Sequence, residues 1–155
     1  MLPTSALSPK NQVTVPKEAR TLLGDGEPVF YGLPHFLAGV ATPDERFPFA
    51  ILYAGSELRR REEAIRTDAR LPSAKREELA TLLRAQATPM AVDDYSRLVL
   101  PAHLVAHLGL DKKVFFIAMN DAVRVWNPDT YRRWAGLPED GAVAPYTPAL
   151  DDYLF

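Results

Sequence analysis

The chain has 155 residues, of which 47% are hydrophobic and 25% charged, a composition typical of a soluble globular protein with one domain or two small ones. It has no cysteine, no apolar run long enough to span a membrane and no signal-peptide pattern at residues 1–10, which excludes disulfides and thiolate metal sites and predicts a cytoplasmic location. The net charge of −2 argues weakly against nucleic-acid binding, but residues 136–155 are acidic without Lys or Arg, and the rest has 18 basic and 16 acidic residues.

The first part of the chain has the pattern of a short strand, a helix and two further strands. Pro16 follows an alternating apolar run and suits the first turn of a helix, because its fixed φ and missing N–H are tolerated there. Gly24 can end that helix in the left-handed conformation. The strands are predicted at residues 13–15, 28–32 and 36–40. A further helix start, with a cap, a proline and two acids, is predicted at residues 42–45.

The middle of the chain is predicted to be largely helical. The expected elements are, in order, a charged helix at residues 49–69, a second helix at 74–85 and a strand at 88–92. Ser73 is expected to cap the second helix. Arg59, Arg60 and Arg61 are interpreted as a solvated or subunit-bridging face rather than a nucleic-acid contact, since glutamates stand beside them.

The pattern of the first part returns 85 residues later. NQVTVPKEARTLLGDGEPVFYG, from Asn11, aligns without a gap with SRLVLPAHLVAHLGLDKKVFFI, from Ser96. Identical residues at this spacing are Pro16 and Pro101, Leu23 and Leu108, Gly24 and Gly109, Val29 and Val114, Phe30 and Phe115, Val40 and Val125, Pro43 and Pro128, and Asp44 and Asp129. The second copy is therefore predicted to have strands at 98–100, 113–118 and 122–126, with a helix start at 127–129. Because so small a sheet exposes its edges, each copy is expected to complete the other's barrel.

These motifs resemble a known family. SPKNQVTVPKEARTLLG resembles the signature of AbrB-like (SpoVT-AbrB) swapped-hairpin DNA-binding proteins. DDYSRLVLPAHLVAHLGLDKKVFFIAMNDAVRVWNPDTYRRW is similar to the second half of the MraZ family, in which two AbrB-like units are fused, and LPSAKREELATLLRAQATPMAVDD resembles its connector. The resemblance covers nearly the whole chain except the C-terminal tail.

The resemblance implies an α+β fold with two tandem AbrB-like swapped-hairpin β-units that form a pseudo-twofold barrel. The implied division is a first unit at residues 1–47, a helical connector at 48–87, a second unit at 88–135 and an acidic tail at 136–155. The implied function is sequence-specific regulation of transcription. The family's members form rings and bind short direct repeats in double-stranded DNA upstream of a division and cell-wall gene cluster. We therefore expect a cytoplasmic, nucleoid-associated homo-oligomer acting as a repressor, with no cofactor, metal, membrane or small-molecule substrate.

The family's DNA contacts lie near an Asp-x-x-x-Arg motif, which the second copy carries as Asp93 and Arg97. The planar guanidinium of Arg97 can bind guanine or phosphate at two points, and Asp93 can hold it in one rotamer. The alternative is an exposed ion pair of little energetic value. In the first copy the same positions hold Ser8 and Gln12, so both the acid and the arginine are missing.

The first copy offers a different set of DNA-binding candidates. Lys10, Lys17 and Arg20 can supply charge to phosphates, and Gln12 can bind an adenine edge or the backbone. The alternative is that these side chains are only solvated. We predict that the first copy provides general phosphate affinity and that Arg97 provides the directional contact.

A catalytic role is not expected. His103 and His107 have the spacing of metal ligands on a helix, but no acid completes the pattern and His107 aligns with the core position Leu22, so packing is favoured. The alternative function is a protein-binding or scaffold module, related to antitoxins, that has lost DNA affinity. Ser8, Gln12 and the negative net charge favour that alternative.

Overall fold

The computed structural model describes residues 2–36 and 46–137. In these ranges the chain combines α-helices with antiparallel strands, as predicted. The strands are β1 (Thr4–Ala6), β2 (Gln12–Thr14), β3 (Val29–Phe36), β4 (Pro48–Ala54), β5 (Thr88–Ala91), β6 (Arg97–Val99), β7 (Lys113–Ala118) and β8 (Val123–Trp126). The helices are α1 (Lys17–Arg20), extended by a 3-10 turn at Thr21–Leu23, α2 (Gly55–Arg66), α3 (Ser73–Gln86), α4 (Ala102–Leu108) and α5 (Pro128–Ala135).

Six of these strands form one antiparallel sheet in the order β1-β7-β8-β4-β3-β5, whereas β2 and β6 pair only with each other in a separate antiparallel ribbon. At the centre of the sheet, β4 pairs with β8 about Ile51 and Arg124. The pairs on either side are Ala50 with Val125 and Leu52 with Val123. The two halves of the chain therefore meet in the middle of the sheet and again in the ribbon.

The outer strands are exchanged between the two halves. β1, from the first half, pairs with β7, and β5, which begins the second half, pairs with β3. The exchange continues just beyond each strand, where the amide of Leu7 donates to the carbonyl of Lys112 at 2.8 Å. The amide of Val92 donates to the carbonyl of Pro28 at 2.7 Å. Neither half of the sheet is complete without a strand from the other.

These two hydrogen bonds correct the alignment of β3 with β7. Their donors are 85 residues apart, but their acceptors are only 84 apart. Phe30 is therefore the counterpart of Val114 and not of Phe115, and both Phe30 and Val114 are completely buried. The sequence alignment missed this shift because the connection from the first helix to β3 is one residue longer than its counterpart.

The connection between β3 and β4 is much longer than that between β7 and β8. Tyr31 pairs with Tyr53, and Phe115, the counterpart of Tyr31, pairs with Trp126. Tyr53 and Trp126 are therefore counterparts at a spacing of 73 residues, and β4 takes the place in the sheet that the alignment assigned to residues 36–40. Outside the described residues lie the rest of that predicted strand, the predicted helix start at 42–45, the matched Val40, Pro43 and Asp44, and the tail beyond residue 137.

The prediction of a helix over residues 49–69 is wrong in its first part, because residues 48–54 form β4 and α2 begins only at Gly55. Both faces of β4 are covered, which makes the run PFAILYA apolar throughout. Leu52 packs in the main core, whereas Tyr53 packs on the opposite face against Leu58 of α2. Periodicity alone does not separate such a strand from a buried helical segment.

The helices α2 and α3 form a pair held by charge as well as by apolar contacts. Glu62 is buried, and its carboxylate pairs with Arg66 at 3.4 Å and with Arg84. The prediction that Ser73 caps α3 is wrong, since Ser73 is its first helical residue and no side chain caps it. The prediction of a helix start after β8 is confirmed, because the side chain of Asn127 accepts a hydrogen bond from the amide of Asp129 at 3.0 Å.

The main core lies between the six-stranded sheet and the ribbon, with α1 and α4 closing its sides. Val13 and Leu98, at the centre of the two ribbon strands, are only 2% and 1% exposed and belong to the same cluster as Phe30 and Val114 of the sheet. The ribbon is therefore fixed to the sheet by its inner face, while its outer face remains available. In the described part of the chain no helix has the length and apolar character needed to cross a membrane.

Candidate nucleic-acid interface

The outer face of the ribbon carries four side chains from β2 and β6. Gln12 lies opposite Val99, and Thr14 lies opposite Arg97. Because successive side chains of a strand point to opposite faces, these four point outward when Val13 and Leu98 point into the core. Val99 is 53% exposed and the side chain of Arg97 is 43% exposed. Thr14 and Val99, which sequence reasoning did not single out, thus share the face with two predicted DNA-binding residues.

A tight turn precedes each ribbon strand, and the two turns have the same backbone hydrogen bonds. In the first turn, the amide of Ser8 donates to the carbonyl of Gln12 and the amide of Asn11 donates to that of Ser8, both at 2.9 Å. In the second, the amide of Asp93 donates to the carbonyl of Arg97 at 2.9 Å and that of Ser96 to Asp93 at 3.0 Å. Because β2 and β6 are antiparallel, the turns lie at opposite ends of the ribbon.

Both turns pass through the left-handed region at one residue. Asn11 and Ser96 each have φ of 62°, at the position where the resemblance places a glycine. The carbonyl of Asn11 accepts from the amide of Leu100 at 2.8 Å, and the carbonyl of Ser96 accepts from the amide of Val15 at 2.7 Å. Each turn is therefore bonded to the strand of the other half, which stabilises the positive φ.

The carboxylate of Asp93 organises the second turn. Its Oδ1 accepts from the backbone amides of Tyr95 and Arg97, each at 2.9 Å, and its Oδ2 accepts from Nε of Arg97 at 2.9 Å. These bonds hold the pKa of Asp93 below its usual range, and the backbone N–H of Arg97 is the main cause. Asp93 stays ionised at neutral pH and fixes both the turn and the arginine.

In the first turn the hydroxyl of Ser8 replaces that carboxylate. Its Oγ accepts from the amide of Lys10 at 3.2 Å and from the amide of Gln12 at 3.0 Å, the positions equivalent to Tyr95 and Arg97. The missing acid therefore does not disturb the backbone of the turn. The sequence signal for this role is a serine followed at two residues by the amide it can bind, a common local motif of turns.

The guanidinium of Arg97 is held from two directions. Asp93 binds Nε in the guanidinium plane, and the ring of Tyr95 lies against its face, with Cζ 5.0 Å from the ring centroid. Within the described residues neither Nη atom has a hydrogen-bond partner. The outer edge of the fork, which presents two parallel N–H donors, is therefore available to a partner with two acceptors.

The other predicted basic residues lie farther from the outer face. Lys10 is exposed in the first turn, beside Gln12. Lys17 is exposed at the first position of α1, and Arg20 is half-buried at its last position. In the ranges described, no hydrogen bond or ion pair joins the side chains of Lys17 or Arg20 to the ribbon.

The arginine run of α2 serves the fold. Arg60 pairs with Glu57 at 2.7 Å, and Arg61 pairs with Asp121, in the turn between β7 and β8, at 2.6 Å. The guanidinium of Arg61 also stacks on Tyr53, with Cζ 4.6 Å from the ring centroid. These contacts fasten α2 to the sheet, so most of the cationic charge of this run is neutralised within the chain.

The two histidines of α4 make structural contacts. Nε2 of His107 lies 2.9 Å from the carbonyl oxygen of His35 and 3.1 Å from that of Phe49, so it donates its N–H to β3 and β4. Nε2 of His103 lies 3.3 Å from the hydroxyl of Thr88. In the part of the chain that the structure describes, no three His, Asp or Glu side chains are grouped as metal ligands.

Comparison with known proteins identifies the family. The family described as "MraZ protein, putative antitoxin-like" matches residues 83–136. The chain is 34% identical over 126 residues to a transcriptional regulator MraZ of Ruegeria pomeroyi, covering 79% of this chain and 72% of the relative. It is 32% identical to that of Ruegeria sp. strain TM1040, with the same coverage. It is 30% identical over 132 residues to that of Azorhizobium caulinodans, covering 83% of this chain and 76% of the relative. The chain therefore belongs to the MraZ family.

Proposed function

We propose that this protein is a sequence-specific DNA-binding regulator of transcription that contacts DNA with the outer face of the β2–β6 ribbon. The observation that carries the proposal is the exposed guanidinium of Arg97, held in place by Asp93 with both Nη atoms available. The curated relatives are named as transcriptional regulators, which supports the same function. None of the clusters seen in the described residues favours catalysis.

The shape of the ribbon suits this role. A two-stranded antiparallel ribbon fits into the major groove of B-DNA, where each base pair presents its own pattern of donors and acceptors. Two parallel N–H donors on Arg97 match O6 and N7 of guanine, and the amide of Gln12 matches N6 and N7 of adenine. Thr14 and Val99 complete the face, and a valine can contact the methyl group of thymine.

The two halves then contribute differently to binding. Lys10, Lys17 and Arg20, all from the first half, supply charge to phosphates, which raises affinity without selecting a sequence. Arg97, from the second half, supplies the directional contact, and Asp93 orients it. A single shallow face with few cations binds DNA weakly, so several copies acting together are needed for stable occupancy.

The finer assignment follows the same reasoning. The chain is two tandem swapped-hairpin units, at residues 1–47 and 88–135, with a connector at 48–87 and an acidic tail at 136–155. The exchange of β1 and β5 between the halves supports this division. The protein acts in the cytoplasm on the nucleoid, as a homo-oligomer that binds short direct repeats and represses a division and cell-wall gene cluster.

The test is a binding titration of the full chain against a DNA fragment from upstream of its own gene. Arg97→Ala should lose most of the preference for that fragment over a scrambled one. Lys10→Ala/Lys17→Ala/Arg20→Ala should weaken both fragments equally and reduce the slope of log K against log[salt] by about 0.9 for each lost phosphate contact. Arg70→Ala is the matched control, since Arg70 is also an exposed arginine paired with an aspartate. Equal salt slopes for the wild type and the triple variant would contradict the division of roles.

A second candidate is a protein-binding module that has lost DNA affinity. The observation in its favour is electrostatic: the second turn places the exposed Asp93 and Asp94 beside Arg97, and the first turn lacks an arginine. Such a module would not be retained on heparin and would not shift its own upstream fragment, but would copurify with a protein partner. Retention and a specific shift would instead favour the regulator.

A further inference from the structure

We propose that Tyr95 is a positioning residue that fixes the plane of the Arg97 guanidinium and thereby sharpens base discrimination at one base pair. The proposal rests on the proposed function. Tyr95 is 75% exposed, and its ring packs on the face of the guanidinium with Cζ 5.0 Å from its centroid. It is the most exposed of the large hydrophobic side chains in the described residues.

One hydrogen bond to Asp93 does not define the orientation of the fork. The Nε–H of Arg97 points at Oδ2 of Asp93, and the guanidinium plane can still rotate about that bond. A ring against the flat face restricts the rotation, because cation–π stacking favours one orientation of the planar cation. Recognition of a guanine edge needs both Nη atoms in the plane of the base, whereas a phosphate accepts many orientations.

The first turn shows that the ring is not needed for folding. Lys10 occupies the position equivalent to Tyr95, and that turn forms the same backbone hydrogen bonds. Only the amide of Tyr95 takes part in the turn, by donating to Asp93. The aromatic ring and the arginine therefore occur together in one copy and are replaced together, by Lys10 and Gln12, in the other.

The proposal is tested with Tyr95→Leu and Tyr95→Phe in the full chain. Single base-pair substitutions in the bound fragment first identify the pair whose preference is lost in Arg97→Ala. Tyr95→Leu should reduce the preference at that pair about two- to fivefold, the range expected from an exposed cation–π contact. Affinity for a scrambled fragment and the salt slope should stay as in the wild type, and Tyr95→Phe should keep the full preference.

A double-variant cycle separates this role from a direct contact of Tyr95 with DNA. If Tyr95 acts only through the arginine, Tyr95→Leu should have no further effect in the Arg97→Ala background. An additive loss there, or an equal loss for the scrambled fragment, would overturn the positioning role. So would an unchanged preference in Tyr95→Leu while Arg97→Ala still loses it. If Arg97→Ala itself keeps the full preference, the proposed function of this face fails first.

Discussion

The second turn can be rebuilt in the first copy by two substitutions, Ser8→Asp and Gln12→Arg. The two turns share their backbone bonds and their positive φ at Asn11 and Ser96. Oγ of Ser8 already accepts from the amides of residues 10 and 12, so one carboxylate oxygen can take over these bonds. The other oxygen is then placed to bind the introduced guanidinium, as Asp93 binds Arg97 at 2.9 Å.

The expected gain follows from what one arginine fork contributes. A bidentate contact to a base provides about 1–3 kcal/mol of discrimination, or about 5- to 150-fold in affinity for the matching site. If the fork binds only a phosphate, the salt slope should instead steepen by about 0.9. The free energy of unfolding should change little, because exposed ion pairs contribute at most about 1 kcal/mol.

The assay is fluorescence anisotropy of a labelled upstream fragment and its single base-pair variants at several salt concentrations. The matched control is Gln12→Arg alone, which adds the charge without the carboxylate. It should steepen the salt slope but discriminate less than the double variant. A folded double variant with the affinity, preference and salt slope of the wild type would refute the idea that the outer face of the ribbon meets DNA.

Two further predictions concern the second turn and the core. The pKa of Asp93 is lowered on folding, so the stability it provides is present above the unfolded value near 3.9 and is lost as pH falls through the folded pKa. Arg97→Ala should raise that pKa only in part, because the backbone N–H remains, and NMR titration of the carboxyl carbon measures this; a full return to the unfolded value would contradict the assignment. Gly32→Ala should lower the free energy of unfolding by about 1–3 kcal/mol, since its Cβ would lie 2.5 Å from Cε of Met90. Denaturant unfolding measures the loss, which should be smaller in a Met90→Leu background, and equal losses in both would show that Met90 is not the obstacle.

The short elements of the fold were predictable because each has a local signal. Pro16 and Pro101 directly precede the helices that follow the ribbon strands, and Asn127 caps α5 as its sequence indicates. The correspondence of the two halves was predictable wherever no residue is inserted, as in the ribbon, where Val13 and Leu98 pair at a spacing of 85 residues. Local chemistry was sufficient in these places because no distant contact competes with it.

The register of β3 against β7 was not predictable from residue type. Val29 and Phe30 are both apolar, as are Val114 and Phe115, so a shift of one residue keeps the apparent match. Such a shift moves every side chain to the other face, and only the pairing with a strand from the other half decides it. β4 was missed for a related reason, since burial on both faces removes the alternation that identifies a strand.

The candidate site was only partly predictable. The Asp93–Arg97 pair was expected from the motif, and its geometry confirms that the two side chains bind each other. The stacking of Tyr95 depends on the left-handed residue between the two side chains, because that residue determines how they face each other. Residue spacing in the sequence carries no signal for that contact.

The two turns differ in side chains and agree in backbone, and this difference has a physical consequence. Each turn is held by its own amide–carbonyl bonds and by one bond to the strand of the other half, and the acceptor at its first residue can be Ser8 or Asp93. Substitutions on the outer face of the ribbon are therefore largely uncoupled from folding, since the stabilising apolar contacts belong to Val13 and Leu98 on the inner face. A duplicated ribbon of this kind can change what one end recognises while the other end keeps its own contact. The pair of turns in this chain, one neutral with a lysine and a glutamine and one with an ordered arginine, is the arrangement that such independence permits.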